Sequence, residues 1–402
     1  MFGVIFLFGI GCKSDLASNC GFEKLCCGFI TQPLAVGWMR SLWHMDNFVA
    51  EYYVEPMTDA ESMQMGHKAT RAGIYDGNRF AVAPMIDWTD RHCRTLHRQF
   101  TRHALLYTEM VVADAAIHGD RTRILGFAAD EHPVALQLGG SDPVKLAEAA
   151  RIGEAMGYQE INLNVGCPSD RVQSGTFGAC LMKTPDIVAA GVEAMKRAVA
   201  IPVTAKCRIG VDDQDTEIAL DELAAGVFAA GADALWVHAR KAWLKGLSPK
   251  ENRDIPPLGY DRVYRLKQKN PNRFIGINGG IQTLDEAAQH LNHVDGVMLG
   301  RAVYHNPMLL SDVDRMIYAA AEAPVPVDAV IERMCSYADQ HIAQGGRLSH
   351  VARHMVGLFH GAPGARRWRQ ILSTEANRTG ATSEIIRRAY EAVQIAPAEE
   401  AA

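Results

Sequence analysis

Eight short apolar runs, rich in Val, Ile and Leu, recur between residues 80 and 299 and leave few folds open. They are 80–84 (FAVAP), 104–108 (ALLYT), 133–138 (PVALQL), 160–164 (EINLN), 202–207 (PVTAKC), 234–238 (ALWVH), 273–278 (RFIGIN) and 296–299 (GVML). Most are continuous rather than alternating, as strands are when both faces of a parallel sheet are covered. Stretches of helical period lie between them. Asp142-Pro143 opens one that runs to Met156, with Pro143 suited to a first turn. Thr184-Pro185 opens another that runs to Val199, and Thr283 to Leu291 supplies a third. Strand–helix alternation repeated eight times over about 240 residues matches a (β/α)8 barrel. A doubly wound open sheet is the competing α/β fold, but no GxGxxG follows the first strand.

After Pro324 and Pro326 the strand signal stops. Val330, Met334, Tyr337, Ala338 and His341 share one helical face, as do Val351, Met355, Leu358 and Phe359. The expected organisation is an extension over 1–78, a barrel over 79–323 and an all-helical domain over 324–402. The formal charge of -5 does not advertise a nucleic-acid partner, but it hides a local excess. Residues 340–390 hold eight arginines, four histidines and only two acids.

The opening MFGVIFLFGIGC is apolar, yet it lacks the basic flank of a signal peptide and is too short to span a bilayer. Residues 1–78 have no helical or strand period. They are expected to be an extension, or the result of a start placed too far upstream, with Met57, Met63 or Met65 as alternatives. A lipid anchor at Cys12 is the weaker reading. The five cysteines beyond this segment (Cys93, Cys167, Cys180, Cys207 and Cys335) show no CxxC or metal-like spacing. That scatter suits reduced thiols in a cytoplasmic enzyme, with no metal site and no membrane contact.

A barrel of this kind carries its chemistry at the C-terminal ends of its strands. Here those ends are polar and glycine-rich: Pro84-Met85, Gln137 to Gly140, Asn162 to Pro168, Lys206 and Arg208, His238 to Arg240, Asn278-Gly279-Gly280, and Gly300-Arg301. Glycine turns after the last two strands are where barrels commonly bind phosphate on backbone N–H groups. Either turn alone would be only a tight turn. Both together, with Arg301 as a bidentate donor, point to a phosphate. Lys206 could form a Schiff base, as in an aldolase, or place positive charge beside the N1–C2=O edge of a flavin. Gln137 offers a donor and an acceptor for a flavin pyrimidine edge. His238 alone would be a core histidine. A flavin accounts for Gln137, Lys206, His238 and the phosphate turns together.

Cys167 lies just past a strand end, between Gly166 and Pro168, where the chain must turn. Most free cysteines are inert packing groups. No His or Asn follows it in a protease pattern, so an acid role fits better than a nucleophilic one. Reduction of an activated C=C needs a hydride on one face and a proton on the other. A thiol with the ordinary value of about 8.5 is still mostly protonated at neutral pH and can give that proton.

The strings APMIDWTDRHCR (83–94), LLYTEM (105–110), HPVALQLGGSDP (132–143), INLNVGCPSDRVQSGTFGACLM (161–182), HARKAWLKGLSPKENR (238–253) and INGGI (277–281) resemble the bacterial tRNA-dihydrouridine synthases, and within them the A-type branch. The resemblance runs from about residue 79 to about 390, and its most specific strings are NVGCPS and KAWLKGLSPKENR. It implies an FMN-binding barrel and a C-terminal helical domain that clamps tRNA. It also implies reduction of D-loop uridine, at positions 20 and 20a for this branch, with NADPH as reductant. By motif position, Pro84, Met85, Ile86, Gln137, Lys206, His238, Asn278, Gly279, Gly280, Gly300 and Arg301 would contact FMN, and Cys167 would protonate C5. Asn164, Lys250, Arg253, Arg366 and Arg369 would contact tRNA. Arg366 and Arg369, three apart, would share a helix face. The absence of a Rossmann fingerprint fits NADPH that docks transiently, and no obligate protein partner is indicated.

Three rivals remain at this level. A small-molecule FMN barrel of the dihydroorotate dehydrogenase or ene-reductase type would share the strand ends but not need a basic helical appendix. A tRNA-binding chaperone with a vestigial flavin would bind RNA without turnover. An aldolase would be colourless.

Overall fold

The computed structural model describes residues 78–169 and 177–394, so the reading of 1–78 as an extension falls, apart from Asn78, outside the described residues. Eight parallel strands close into a barrel in chain order. They are β1 (Phe80–Val82), β2 (Leu105–Val112), β3 (Val134–Gly139), β4 (Glu160–Val165), β5 (Val203–Arg208), β6 (Ala234–His238), β7 (Phe274–Asn278) and β8 (Gly296–Leu299). Seven of the eight expected runs coincide with a strand to within about two residues. β2 extends four residues further, to Val112, because its pairing with β3 shifts between Tyr107 and Met110 and then resumes. The Thr108 hydroxyl fills the gap by accepting from Gln137 N–H at 3.0 Å.

The crossover helices are α1 (Arg91–Arg98), α2 (Ala113–His118), α3 (Pro143–Ala155), α4 (Pro185–Ala198), α5 (Thr216–Ala229), α6 (Tyr260–Lys269), α7 (Leu284–His290) and α8 (Arg301–His305). Their starts are dictated locally. Asp90, Asp142, Asp215 and Thr283 each accept a backbone N–H of the first turn. Pro143 and Pro185 occupy first-turn positions, as their sequence context predicts.

Two apolar clusters result. The larger lies between sheet and helices and continues into the C-terminal helices. The smaller fills the barrel itself: Ala81, Ala83, Leu105, Tyr107, Ala135, Ala234, Trp236, Phe274 and Met298. Trp236 and Phe274 meet edge to face with centroids 5.5 Å apart. Glycine makes the room. A Cβ on Gly276 would overlap the Trp236 ring, and one on Gly296 would stand 2.7 Å from Phe274 and 2.8 Å from Trp236. The floor of the barrel is thus a packed aromatic plug.

Beyond the barrel the chain is helical: α9 (Val327–Ala343), α10 (Leu348–Met355), α11 (Ala365–Glu375) and α12 (Glu384–Gln394). The face predicted for α9 is correct at Val330, Met334 and Ala338, which are buried. The face predicted through Leu358 and Phe359 is not continuous, because α10 stops at Met355. Gly357 presses against the backbone carbonyl of His305, and Pro363 and Gly364 then turn the chain into α11. Leu358 is nevertheless buried, and Phe359 packs edge-on to Trp368 at 4.9 Å. These helices and the barrel belong to one compact unit, Ala72–Ala402. Trp88 stacks on Tyr304 at 4.3 Å near their junction. Asp90, which caps α1, also binds His354 of α10 at 3.0 Å and Arg353.

Candidate functional site

Strand alternation places residues two apart on one face, so the inner face of each strand can be read upward from the plug. On β4 it reads Glu160, Asn162, Asn164; on β5, Thr204, Lys206, Arg208; on β6, Ala234, Trp236, His238. The register aligns them, with Gln137 opposite Asn162, Asn164 opposite Lys206, Arg208 opposite His238 and His238 opposite Asn278. Polar groups therefore form a layer above the aromatic floor, at the C-terminal mouth.

A hydrogen-bonded ladder runs through that layer. Asn164 Nδ2 donates to Gln137 Oε1 at 2.8 Å, and Gln137 Nε2 donates to Asn162 Oδ1 at 2.8 Å. Asn162 Nδ2 donates to Thr204 at 2.7 Å, and Thr204 donates to Glu160 at 2.6 Å. At the upper end, Asn164 Oδ1 accepts the backbone N–H groups of Gly166 at 3.1 Å and Cys167 at 3.0 Å. Buried amides satisfied in this way are fixed in orientation. Gln137 keeps one N–H and one lone pair beyond the ladder.

Cys167 is half-buried, with Sγ 3.5 Å from Ser169 Oγ. Its turn is held from the β5 side by Arg208, which donates to the carbonyls of Gly166 at 3.2 Å, Lys241 at 3.2 Å and Asn252 at 2.8 Å. Lys206, one strand away, donates to Asn278 Oδ1 at 3.1 Å, and Asn278 in turn donates to Met298 O at 2.6 Å. Burial, with the Arg208 charge adding to it, pulls Lys206 down to about 8. Burial, then Arg208 and Lys206, keep His238 well below the usual imidazole range, so its ring is neutral at pH 7.

The two glycine turns sit where the sequence puts them. Gly279 and Gly280 have φ of 111° and 76°, in the region only glycine enters freely. A Cβ on Gly279 would lie 2.6 Å from the His238 ring. Gly300 begins α8, and a Cβ there would meet Met85 Sδ at 3.2 Å. Pro84 and Met85 are half-buried past β1, whereas Ile86 is largely exposed.

Positive charge gathers on this side. Arg301 pairs with Asp254 at 2.7 Å and reaches the carbonyl of Arg253 at 3.4 Å. Arg240 donates to the carbonyls of Asp254 and Pro256. The Nε atoms of Arg240 and Arg253 are buried with no hydrogen-bond partner among the described residues. Donors left over in this way, beside a backbone cradle without side chains, suit an anionic or phosphate-bearing ligand. A groove of about 790 Å³ continues from Arg301 past Thr283, Tyr304 and His305 to His360 and Arg369 of the helical region. Arg366 is exposed on the same helix but does not line the groove, and Lys250 is exposed at the start of the turn Glu251–Asp254. The sequence reading thus falls into one cluster around Lys206 and a basic flank leading outward.

The family model described as "Dihydrouridine synthase (Dus)" matches residues 81–394. The chain belongs to the dihydrouridine synthase family. One similar member, a "tRNA-dihydrouridine(20/20a) synthase" from Shewanella oneidensis, is 54% identical over 315 residues, covering 78% of this chain and 94% of that one. A protein of the same name from Escherichia coli strain K12 is 52% identical over 324 residues, covering 80% and 94%. One from Salmonella typhi is 52% identical over 325 residues, covering 81% and 98%.

Within this dihydrouridine synthase, sequence reasoning gave no role to Asn162, Asn252 or Glu109. Asn162 was visible only as part of a polar strand end, and it supports the site from inside the ladder, accepting from Gln137 and donating to Thr204. Asn252 organises the loop after β6, donating to the carbonyls of Trp243 at 2.9 Å and Leu247 at 3.1 Å and accepting from Trp243 N–H at 2.7 Å. Its presence inside a family string was the available signal. Glu109 is the third case. It accepts from Asp87 N–H at 2.5 Å, and burial raises its carboxyl above the usual range.

Proposed function

We propose that this dihydrouridine synthase reduces uridine to 5,6-dihydrouridine in the tRNA D-loop, at positions 20 and 20a, using FMN and NADPH. The observation that carries the reading is the placement of Cys167, in the turn after β4, next to the strand that bears Lys206: Asn164, which holds the Cys167 turn, pairs in register with Lys206. A thiol and an ammonium at one mouth, above a closed floor, provide a proton and a positive charge within one cavity.

The residues suited to FMN are Pro84, Met85, Ile86, Gln137, Lys206, His238 and Asn278, with the N–H groups of Gly279, Gly280, Gly300 and Arg301 available to its phosphate. When bound and reduced, FMN would supply hydride for C6 of uracil. Cys167 holds its Sγ proton for C5, where negative charge develops because C5=C6 is conjugated to the C4 carbonyl. Asn164 fixes the Cys167 turn and faces the target base. Lys206 brings a positive charge to the reduced ring, and neutral His238 serves as a hydrogen-bonding partner rather than a second cation.

The target base must leave the folded RNA to reach this cavity. Lys250, Arg253, Arg366 and Arg369 would hold its flanking phosphates, with 324–402 acting as the RNA-gripping domain beside the 79–323 barrel. The groove joining Arg301 to Arg369 supports that path. Among the described residues no helix is long and apolar enough to cross a membrane. A cytoplasmic setting follows from the substrate proposed.

The deciding experiment is mass mapping of D-loop nucleotides in tRNA from a strain lacking the gene, with and without a plasmid copy. Dihydrouridine at 20 and 20a should vanish and return. A chaperone without turnover predicts no change, and a small-molecule reductase predicts flavin turnover that tRNA does not affect.

A further inference from the structure

Away from the mouth, three histidines from three helices converge. His92 lies on α1 of the barrel, His341 on α9 and His350 on α10. One ring nitrogen from each lies within 4.8 Å of the other two. His341 Nε2 and His350 Nδ1 are 3.0 Å apart, and the His92 ring meets that of His341 edge to face at 4.4 Å between centroids. The cysteine scatter gave no hint of this, because the three residues are separated by long stretches of chain and meet only through packing.

A hydrogen bond explains two imidazoles together, but a third converging on the same point adds nothing to that bond. It does complete one face of a metal coordination sphere. His92 uses Nδ1 on the Tyr337 hydroxyl at 2.8 Å, which leaves Nε2 as its ligand atom. Zinc-bound histidines usually have such a tie on the opposite nitrogen. Gly346 passes so close over His341 that a Cβ would collide with the imidazole, so that ring is held by the chain above it. Exposure is graded from buried His92 through half-buried His341 to exposed His350, giving an ion a way in from solvent.

We propose that His92, His341 and His350 form a site for a divalent transition-metal ion of the zinc class that ties α1 of the barrel to α9 and α10. All-imidazole ligation selects such ions over magnesium or calcium, which require oxygen ligands. Zinc–nitrogen bonds of about 2.0–2.1 Å put tetrahedral ligand atoms roughly 3.3 Å apart. The His341–His350 pair needs only to open by a few tenths of an ångström to reach that spacing, and the third nitrogen to approach by about 1–1.5 Å. Water supplies the fourth ligand. The ion is remote from Cys167 in role: it fastens helices and takes no part in reduction.

The test uses the full-length protein, stripped with EDTA and titrated with zinc chloride by calorimetry. The wild type should bind one equivalent more than His350→Ala or His341→Ala, and zinc should raise its Tm but not theirs. Tyr337→Phe should keep the equivalent and weaken it by roughly 10–100-fold. Equal stoichiometry in wild type and both variants overturns the proposal, since any zinc would then be held elsewhere, for instance by cysteines. Independently of whether the variants fold, anomalous scattering from zinc-soaked wild-type crystals should place the ion among the three rings. Its absence there overturns the proposal as well.

Discussion

Asn164 holds Cys167 by the backbone: its side-chain oxygen takes the Cys167 N–H at 3.0 Å while its amide is anchored on Gln137 at 2.8 Å. The thiol is thereby positioned through its backbone, while Sγ itself hydrogen-bonds only the Ser169 hydroxyl among the described residues. Asn164→Ala should remove the acceptor for two N–H groups and cost about 1–3 kcal/mol of stability. Thermal unfolding checks the cost, and dihydrouridine formation should fall while flavin content is kept.

Cys167→Ala removes the proposed acid without disturbing the ladder. Turnover should drop about 10²–10⁴-fold, the usual worth of a positioned general acid. Flavin absorbance and tRNA affinity should match wild type. Single-turnover mass analysis of the RNA is the measurement, and full activity would end the acid assignment.

Lys206 gives a pH signature in flavin-stripped protein. Its folded pKa of about 8 lies below the usual lysine value of about 10.4. Between those two values the unfolded chain holds more protons, so stability rises with pH across that window. Below about pH 8 the full burial penalty is present. Lys206→Met should therefore raise Tm near neutrality and flatten the rise toward pH 10. A wild-type curve with no such rise would contradict the burial argument.

Gly279→Ala tests the cradle. At φ 111° an alanine is strained, and its methyl would stand 2.6 Å from His238. About 1–3 kcal/mol of stability should be lost, and the purified variant should carry less flavin than wild type, read as the ratio of visible to ultraviolet absorbance.

RNA affinity should fall with salt, because phosphate contacts release counterions. Arg369→Ala and Arg366→Ala should each weaken tRNA binding and lower the log–log salt slope by about 1. Filter binding at several salt concentrations measures both. A slope unchanged in both variants would place the phosphate contacts elsewhere.

Much of this was legible because buried parallel strands write themselves as apolar runs. The runs of β6, β7 and β8 read almost residue for residue, and strand ends then name Lys206, His238 and Gly279 by position alone. The helical region was less legible. Leu358 and Phe359 keep a helical period, yet the chain there is no longer helix, since Gly357 packs against His305 at a contact far away in sequence. The ladder was least legible. Gln137 joins Asn162 across 25 residues, and Lys206 joins Asn278 across 72. Arg208 was visible as a charge, but nothing local tells that it spends its donors on three carbonyls instead of a ligand.

The aromatic plug has a consequence for traffic. With Trp236 and Phe274 packed across the barrel interior, a ligand bound at the C-terminal mouth would have to leave the way it came. The electron donor and the extruded base would have to take turns at a single doorway. Steady-state rates measured against both should then give parallel double-reciprocal lines, with each substrate inhibiting competitively at high excess over the other.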